Sequence, residues 1–364
     1  MYKVAIVGLG EVAQLMHLPI LSDMREKFQV TSVSDVSESL IDFVAEKYHV
    51  KGYPSAFDMI QDKDVDVVMI LSPDQHHGEY MQAALEAGKH VFVEKPVTLC
   101  LEELDTLLDL EKKHPDQLVM VGYMRRYASP FLKAKEIMET QPLRTNHVRC
   151  RDSILEGPFY IGQTRMPFYP QDITKEVLES SRERKNTQLA LALGESATDD
   201  EKTTYQMLTG LGCHTLAAVR ELFGMPQKVL HVATEANGQH IVLTMQYDGF
   251  LCTYELINDQ SFVEFDAAIE VYQGGRKLKV KYETPYVRYQ PSTLEVIEST
   301  SSDTKTTLYG PYFTDAFQTE LSEFFDCLQE RREPKTTLAD ARNDLVLFGE
   351  IMDALRKNEG ERGK

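Results

Sequence analysis

A chain of 364 residues is too long for one ordinary hydrophobic core, so two domains are expected. Its formal net charge of −18 argues against nucleic acid as a partner, which needs a basic surface, and no apolar run reaches membrane-spanning length. Five cysteines (Cys100, Cys150, Cys213, Cys252, Cys327) stand apart without C-x-x-C spacing, which fits a reducing cytoplasm and argues against a disulfide framework or a zinc cluster.

The chain opens on a strand, so no signal peptide is expected. Val4 to Val7 is an apolar run suited to a buried parallel strand, and it breaks into Gly8-Leu9-Gly10-Glu11-Val12-Ala13 ahead of an amphipathic stretch. In such a G-x-G-x-x-A turn the first glycine permits the bend and the second lets backbone approach a pyrophosphate. The small third residue lets the helix pack on the strand, with its N-terminus facing the anion. The segment from Gly8 to Val12 is therefore the expected phosphate cradle. A second apolar strand, Val30 to Val33, ends in Asp35, whose carboxylate can accept hydrogen bonds from a ribose diol. That charge repels a 2′-phosphate, and Val36-Ser37-Glu38 supplies no arginine to offset it, so NAD is expected, with NADP as the alternative.

Val65 to Leu71 reads as a third strand, followed by Ser72-Pro73-Asp74 and a helix from Gln75 to Ala87 that Gly88 would stop. His90 to Glu94 and Leu118 to Val121 read as further strands, with helix Leu101 to Lys112 between them. Strands spaced by helices imply a doubly wound parallel sheet, with its ligand beyond the carboxyl ends of the strands. Gly8, Asp35, Ser72, Glu94 and Gly122 then all point to one crevice. In Glu94-Lys95-Pro96, Pro96 restricts Lys95 to an extended conformation, and a lysine buried there could exchange a proton near neutral pH. Read without that setting, Lys95 is equally a surface lysine paired with Glu94.

After Arg126 the character changes. Helix Pro130 to Met138 precedes an extended segment at His147 to Asp152, and a polar region over 154–205 contains a charged helical stretch, Ile173 to Leu193. Within it, Ser180 to Lys185 reads as a solvated face, or as a lid or oligomer contact. Helix Gly212 to Phe223 leads to alternating strands at Val229–Glu235, His240–Tyr247, Phe250–Leu256, Ala268–Tyr272 and Leu278–Tyr282, a mostly antiparallel sheet with one covered face. Helices Thr314 to Gln329 and Ala339 to Arg356 close the chain, and Asn358 to Lys364 read as frayed. Arg125-Arg126 could grip a substrate anion or form salt bridges at the domain boundary. His76 and His77 face different directions, and with no H-E-x-x-H spacing no metal is expected.

Four stretches together resemble the glucose–fructose oxidoreductase and inositol dehydrogenase (Gfo/Idh/MocA) family. They are Gly8-Leu9-Gly10, Ser72-Pro73-Asp74-Gln75-His76-His77, Ala87-Gly88-Lys89-His90-Val91-Phe92-Val93-Glu94-Lys95-Pro96 and Val121-Gly122-Tyr123-Met124-Arg125-Arg126-Tyr127. The order of later elements and the closing Pro334 to Leu347 stretch also fit. The resemblance implies an α/β protein with an N-terminal Rossmann domain over 1–123. It implies an α+β domain over 124–364 whose mostly antiparallel open sheet binds substrate and makes homo-oligomer contacts, as a dimer or tetramer.

It further implies a cytoplasmic NAD(P)-dependent dehydrogenase or reductase acting on CH-OH groups of a sugar, polyol or related carbonyl compound. Lys95 would stand beside substrate and cofactor, with Ser72, His77 and Glu94 lining the cofactor and Arg126 near the cleft. The family's helical histidine aligns with His214, as a second proton-transfer and substrate-binding residue. Its two carboxylate companions fall at Gly210 and Ala217, and both are missing. The alternatives are a catalytically weakened NAD-binding sensor or regulatory protein of the same fold, or an enzyme in which Asp152, Glu156 or Tyr160 replaces the lost carboxylate.

Overall fold

Apolar runs at the start of the chain become buried strands, because a parallel sheet covered on both faces presents no polar side. A computed structural model describes residues 1–154, 158–259, 261 and 264–362. In chain order come β1 (Tyr2–Val7), α1 (Leu18–Asp23), β2 (Phe28–Ser34), α2 (Glu38–Tyr48), β3 (Lys51–Tyr53), α3 (Ala56–Ile60), β4 (Val67–Ile70), α4 (His77–Glu86), β5 (His90–Glu94), α5 (Leu101–Glu111) and β6 (Val119–Gly122). The six strands run parallel in the order β3-β2-β1-β4-β5-β6. The order reverses between β1 and β4, where a doubly wound sheet opens its ligand crevice. Gly88 takes φ +71° just past α4, the conformation expected of that stop. The stretch after the glycine turn opens with a wide, π-helical turn at Ala13–His17 before α1.

The chain continues through α6 (Ser129–Thr140), β7 (Thr145–Ile154), α7 (Pro158–Thr164), α8 (Lys175–Leu193), α9 (Asp199–Met207) and α10 (Cys213–Phe223). The strands β8 (Lys228–Glu235), β9 (His240–Tyr247), β10 (Phe250–Asn258), β11 (Phe265–Gln273), β12 (Arg276–Tyr282), β13 (Ser292–Ser299) and β14 (Thr304–Tyr312) follow, and then α11 (Ala316–Glu330) and α12 (Leu338–Arg362). The second sheet is ordered β14-β13-β12-β11-β7-β10-β9-β8 and is antiparallel except where β7 pairs with β10. Alternation along β9 and β12 buries every second side chain on the face that α6 and α10 cover. The fold is α/β, with a Rossmann-type parallel sheet and a mostly antiparallel mixed sheet.

Two compact units divide the chain. The first holds Met1–Gly122, Arg165–Glu195 and Glu320–Leu345; the second holds Tyr123–Thr164, Ser196–Thr319 and Val346–Lys364. The first cut falls after Gly122, one residue before the expected boundary. Arg165–Glu195 and Glu320–Leu345, which lie in the stretch expected as the second domain (124–364), cluster with the first unit. Phe28 of β2 stacks on Phe324 at 6.1 Å, and Val121 N–H donates to the Thr336 carbonyl. The C-terminal residues expected to fray continue as helix to Arg362, and Asn358 Oδ1 accepts the Val232 N–H of β8 at 2.8 Å. Strands β3, β13 and β14 and helix α9 were not expected. β14 is almost wholly exposed, so no apolar alternation marks it in the sequence.

Candidate active site

The crevice of the first unit begins at the end of β1. Gly8 has φ +88°, and a Cβ on it would stand 2.4 Å from Ser72 N, so only glycine fits between β1 and the end of β4. Gly10 is the opposite case: it is exposed, and a Cβ there meets nothing within 4 Å. Leu9 N–H donates to Asp35 Oδ2 at 2.8 Å and Ser37 N–H to Oδ1 at 3.1 Å, so Asp35 ties the glycine turn to the start of α2. Burial raises the Asp35 pKa against the backbone bonds that lower it. Val12 leads into the π-helical turn, and Glu11 accepts the Tyr169 hydroxyl at 2.6 Å.

Register brings the other crevice residues of this unit together: Val7 stands opposite Ser34 and Ile70, Ile70 opposite Val93, and Glu94 opposite Gly122. Ser72 therefore follows β4 and Lys95 follows β5 at the same end of the sheet as Gly8 and Asp35. The Ser72 hydroxyl oxygen is buried with no hydrogen-bond partner among the described residues. Glu94 Oε1 accepts His17 Nε2 at 2.8 Å, and its Oε2 accepts the Lys95 N–H at 3.3 Å. Burial pushes the Glu94 carboxyl up, but the bond and charge of His17 outweigh it and hold the pKa below the ordinary value. Lys95 is half-buried. His77 lies 2.7 Å from both the Pro96 and the Ser72 carbonyls, so it braces two crevice loops from behind; burial lowers its pKa. These residues fit a dinucleotide: an open backbone cradle at Gly10, a carboxylate for a ribose diol and an orphaned hydroxyl at Ser72.

His17 and Gln14 escaped the sequence reading, although a signal was present. They are the only polar residues between Val12 and Leu21 and stand three apart, hence on one helical face. Gln14 Nε2 donates to the Leu9 carbonyl (2.9 Å) and the Phe168 carbonyl (3.0 Å), and its Oε1 accepts the Phe168 N–H (2.8 Å). That bond set begins a strap of the first unit. Asp172 accepts from Ser37 and Ser39, Gln75 Nε2 donates to Ser181 Oγ, and Arg184 donates to the Gln75 carbonyl and to Glu79 and Glu103. The solvated face expected over Ser180 to Lys185 is thus corrected at Ser181, Arg184 and Lys185, the last 3.8 Å from Asp74. Their partners lie on the α4 side of the crevice.

The second unit holds the remaining candidates. Arg126 is 3% exposed and its Nε donates to Glu221 at 2.6 Å; Arg125 donates to Asp152 and to Thr215 Oγ1. Both arginines of this pair meet internal carboxylates, the salt-bridge reading of the two that the sequence left open. Asp152, the first of the residues considered in place of the missing carboxylate, is wholly buried and also accepts the Tyr254 hydroxyl at 2.6 Å, so it is engaged in this network. Glu156 lies outside the described residues. Tyr160 sits in α7, edge-on to Phe265. His214 is the second residue of α10, follows a π-helical turn at Leu208–Gly212 that contains Gly210, and is largely buried; Ala217 is fully buried. Among the described residues, no group of three or more His, Cys, Asp or Glu side chains could hold a metal ion.

A parallel sheet in this order, opened at Gly10 and closed by Asp35, has the architecture of a dinucleotide-binding fold. Residues 2–123 match the model of the oxidoreductase family described as an NAD-binding Rossmann fold (GFO_IDH_MocA). Inositol 2-dehydrogenase of Salmonella paratyphi B is 33% identical over 147 residues, 39% of this chain and 44% of that protein. Myo-inositol 2-dehydrogenase of Thermotoga maritima is 33% identical over 40% of this chain and 43% of its own length. The matches thus span less than half of these relatives. Across the whole chain the fold is that of myo-inositol 2-dehydrogenase from Lactobacillus plantarum, with a TM-score of 0.71, 19% identity and 98% of both chains covered. It is likewise that of UDP-N-acetylglucosamine 3-dehydrogenase GnnA from Acidithiobacillus ferrooxidans, with a TM-score of 0.72, 16% identity and 98% of both chains covered.

Proposed function

We propose that this chain is an NAD-dependent oxidoreductase acting on the CH-OH group, or the corresponding carbonyl, of a sugar or polyol. The observation that carries the reading is the tie between Asp35 and the Leu9 N–H beside the open Gly10. A bound nicotinamide would supply hydride chemistry, and the chain's task is to bind, orient and move a proton. Gly8 to Val12 would border the phosphates, Asp35 would take the ribose hydroxyls, and the Ser72 hydroxyl would serve a polar group of the cofactor. Lys95 would hydrogen-bond the reacting oxygen and exchange its proton, with Glu94, anchored by His17, fixing the backbone that carries it. The resemblance alone assigns His214 an accessory proton-transfer role and Arg126 a place near the substrate. It also supports a homo-oligomer, and light scattering would measure its order.

The Lys95→Met variant tests the central assignment. NAD binding should survive in calorimetry while turnover falls about 10²–10⁴-fold, the usual worth of general acid–base catalysis. Equal turnover in variant and parent would refute the role. The second reading, a sensor that binds nucleotide without catalysis, is favoured by Gly210 and the fully buried Ala217 where the family carries carboxylates. A sugar and polyol screen read by NADH absorbance separates the two: tight binding with no turnover on any candidate selects the sensor.

A further inference from the structure

The NAD preference proposed above rests on Asp35, and a second acidic residue far away in sequence stands next to it. α2 begins with Ser37 as its N-cap: the Ser37 hydroxyl accepts the Leu40 N–H at 3.1 Å, and Ser37 itself is fully buried. A helix start of this kind is a seat for an anion, because its first N–H groups lack intrahelical acceptors. The seat lies two residues beyond Asp35, so a 2′-phosphate on a ribose held by Asp35 would look to it for donors. The donors are Ser37 Oγ, Ser39 Oγ and Ser39 N–H, and all three already serve one carboxylate. Ser37 Oγ donates to Asp172 Oδ1 at 2.5 Å, Ser39 Oγ to the same oxygen at 2.9 Å, and Ser39 N–H to Oδ2 at 2.9 Å.

We infer that Asp172 is an intramolecular occupant of the phosphate seat at the start of α2 and a specificity-determining residue that excludes NADP. It acts in two ways: it engages the donors a 2′-phosphate would need, and it adds a second negative charge beside Asp35, so that the phosphate meets two carboxylates. The strap holds Asp172 there. Phe168 is pinned to Gln14 and stacked on Phe43 at 4.8 Å, and Thr174 caps α8 two residues further on. The three bonds hold the Asp172 carboxyl down to about 2, so it carries its charge at any working pH.

The test is calorimetric titration of the full chain with NAD and with NADP, for the parent, Asp172→Ala and Asp172→Asn. The expected result is that the NADP-to-NAD ratio of dissociation constants falls about tenfold or more in the alanine variant, where the seat is vacated. It should fall less in the asparagine variant, where an uncharged amide keeps part of the seat. An unchanged ratio in both variants overturns the inference while leaving the NAD reading intact. Variants that lose both nucleotides alike also overturn it, since the strap would then serve binding and not discrimination, and a parent that binds NADP as tightly as NAD overturns the inference and the NAD preference together. A parent that binds neither nucleotide overturns the proposed function itself.

Discussion

Two glycines a residue apart carry opposite constraints. At Gly8 a side chain collides with the backbone at Ser72, and the positive φ adds its own penalty, so Gly8→Ala should lower stability by about 2–4 kcal/mol in urea unfolding. At Gly10 nothing stands in the way. Gly10→Ala should leave stability within about 1 kcal/mol of the parent, because it also restricts the unfolded chain, yet weaken NAD binding by at least about tenfold. A Gly10→Ala protein that binds NAD like the parent would remove the pyrophosphate from this turn. The pattern G-x-G-x-x-A was legible in sequence, but it does not say which glycine answers to the fold and which to the ligand. That division depends on where β4 runs.

At the scale of elements, the segment from Arg165 to Glu195 is the one whose role could not be read. Its charges suggested a solvated helix, since their partners are about a hundred residues earlier in the chain. Arg184, half-buried, bridges the Gln75 carbonyl, Glu79 and Glu103, and Gln188 donates to the Gln75 carbonyl and to Glu103. A buried charged hydrogen bond of this kind contributes about 1.5–3 kcal/mol, less where water screens it. Arg184→Ala should therefore loosen the strap before the sheet. The check is limited proteolysis read by intact mass: cleavage between Arg165 and Thr174 should accelerate several-fold, and equal rates in variant and parent would show the strap is held elsewhere. Helix α9 is a different kind of miss. Its Thr198-x-x-Glu201 capping box is present in the sequence and in the structure, and the polar run after it concealed the signal.

At the scale of the whole molecule, the second unit is organised around a buried ionic network. Asp152 of β7, Arg125 after β6, Thr215 of α10 and Tyr254 of β10 share it. Such a pair adds little against an apolar replacement, but removing one partner strands a buried charge. Asp152→Ala should cost about 3–5 kcal/mol and lower the melting temperature by several degrees, measured by calorimetry. A variant as stable as the parent would mean the Arg125 charge finds water or another acceptor. In sequence Arg125-Arg126 left open a substrate anion or salt bridges, since Asp152 and Glu221 lie on a strand and a helix that only the folded sheet brings near.

The sequence by itself determined the parallel sheet, its crevice and the residues at its carboxyl end, because strand hydrophobicity, glycine turns and the Glu94-Lys95-Pro96 run are local patterns that survive in one dimension. It could not determine that His17 anchors Glu94, that Asp172 sits on the start of α2, or that both arginines after β6 are neutralised within their own unit. Those facts are pairings across long stretches of chain, and a charge or hydroxyl declares its partner only when the packing of helices on sheets has fixed the distance between them.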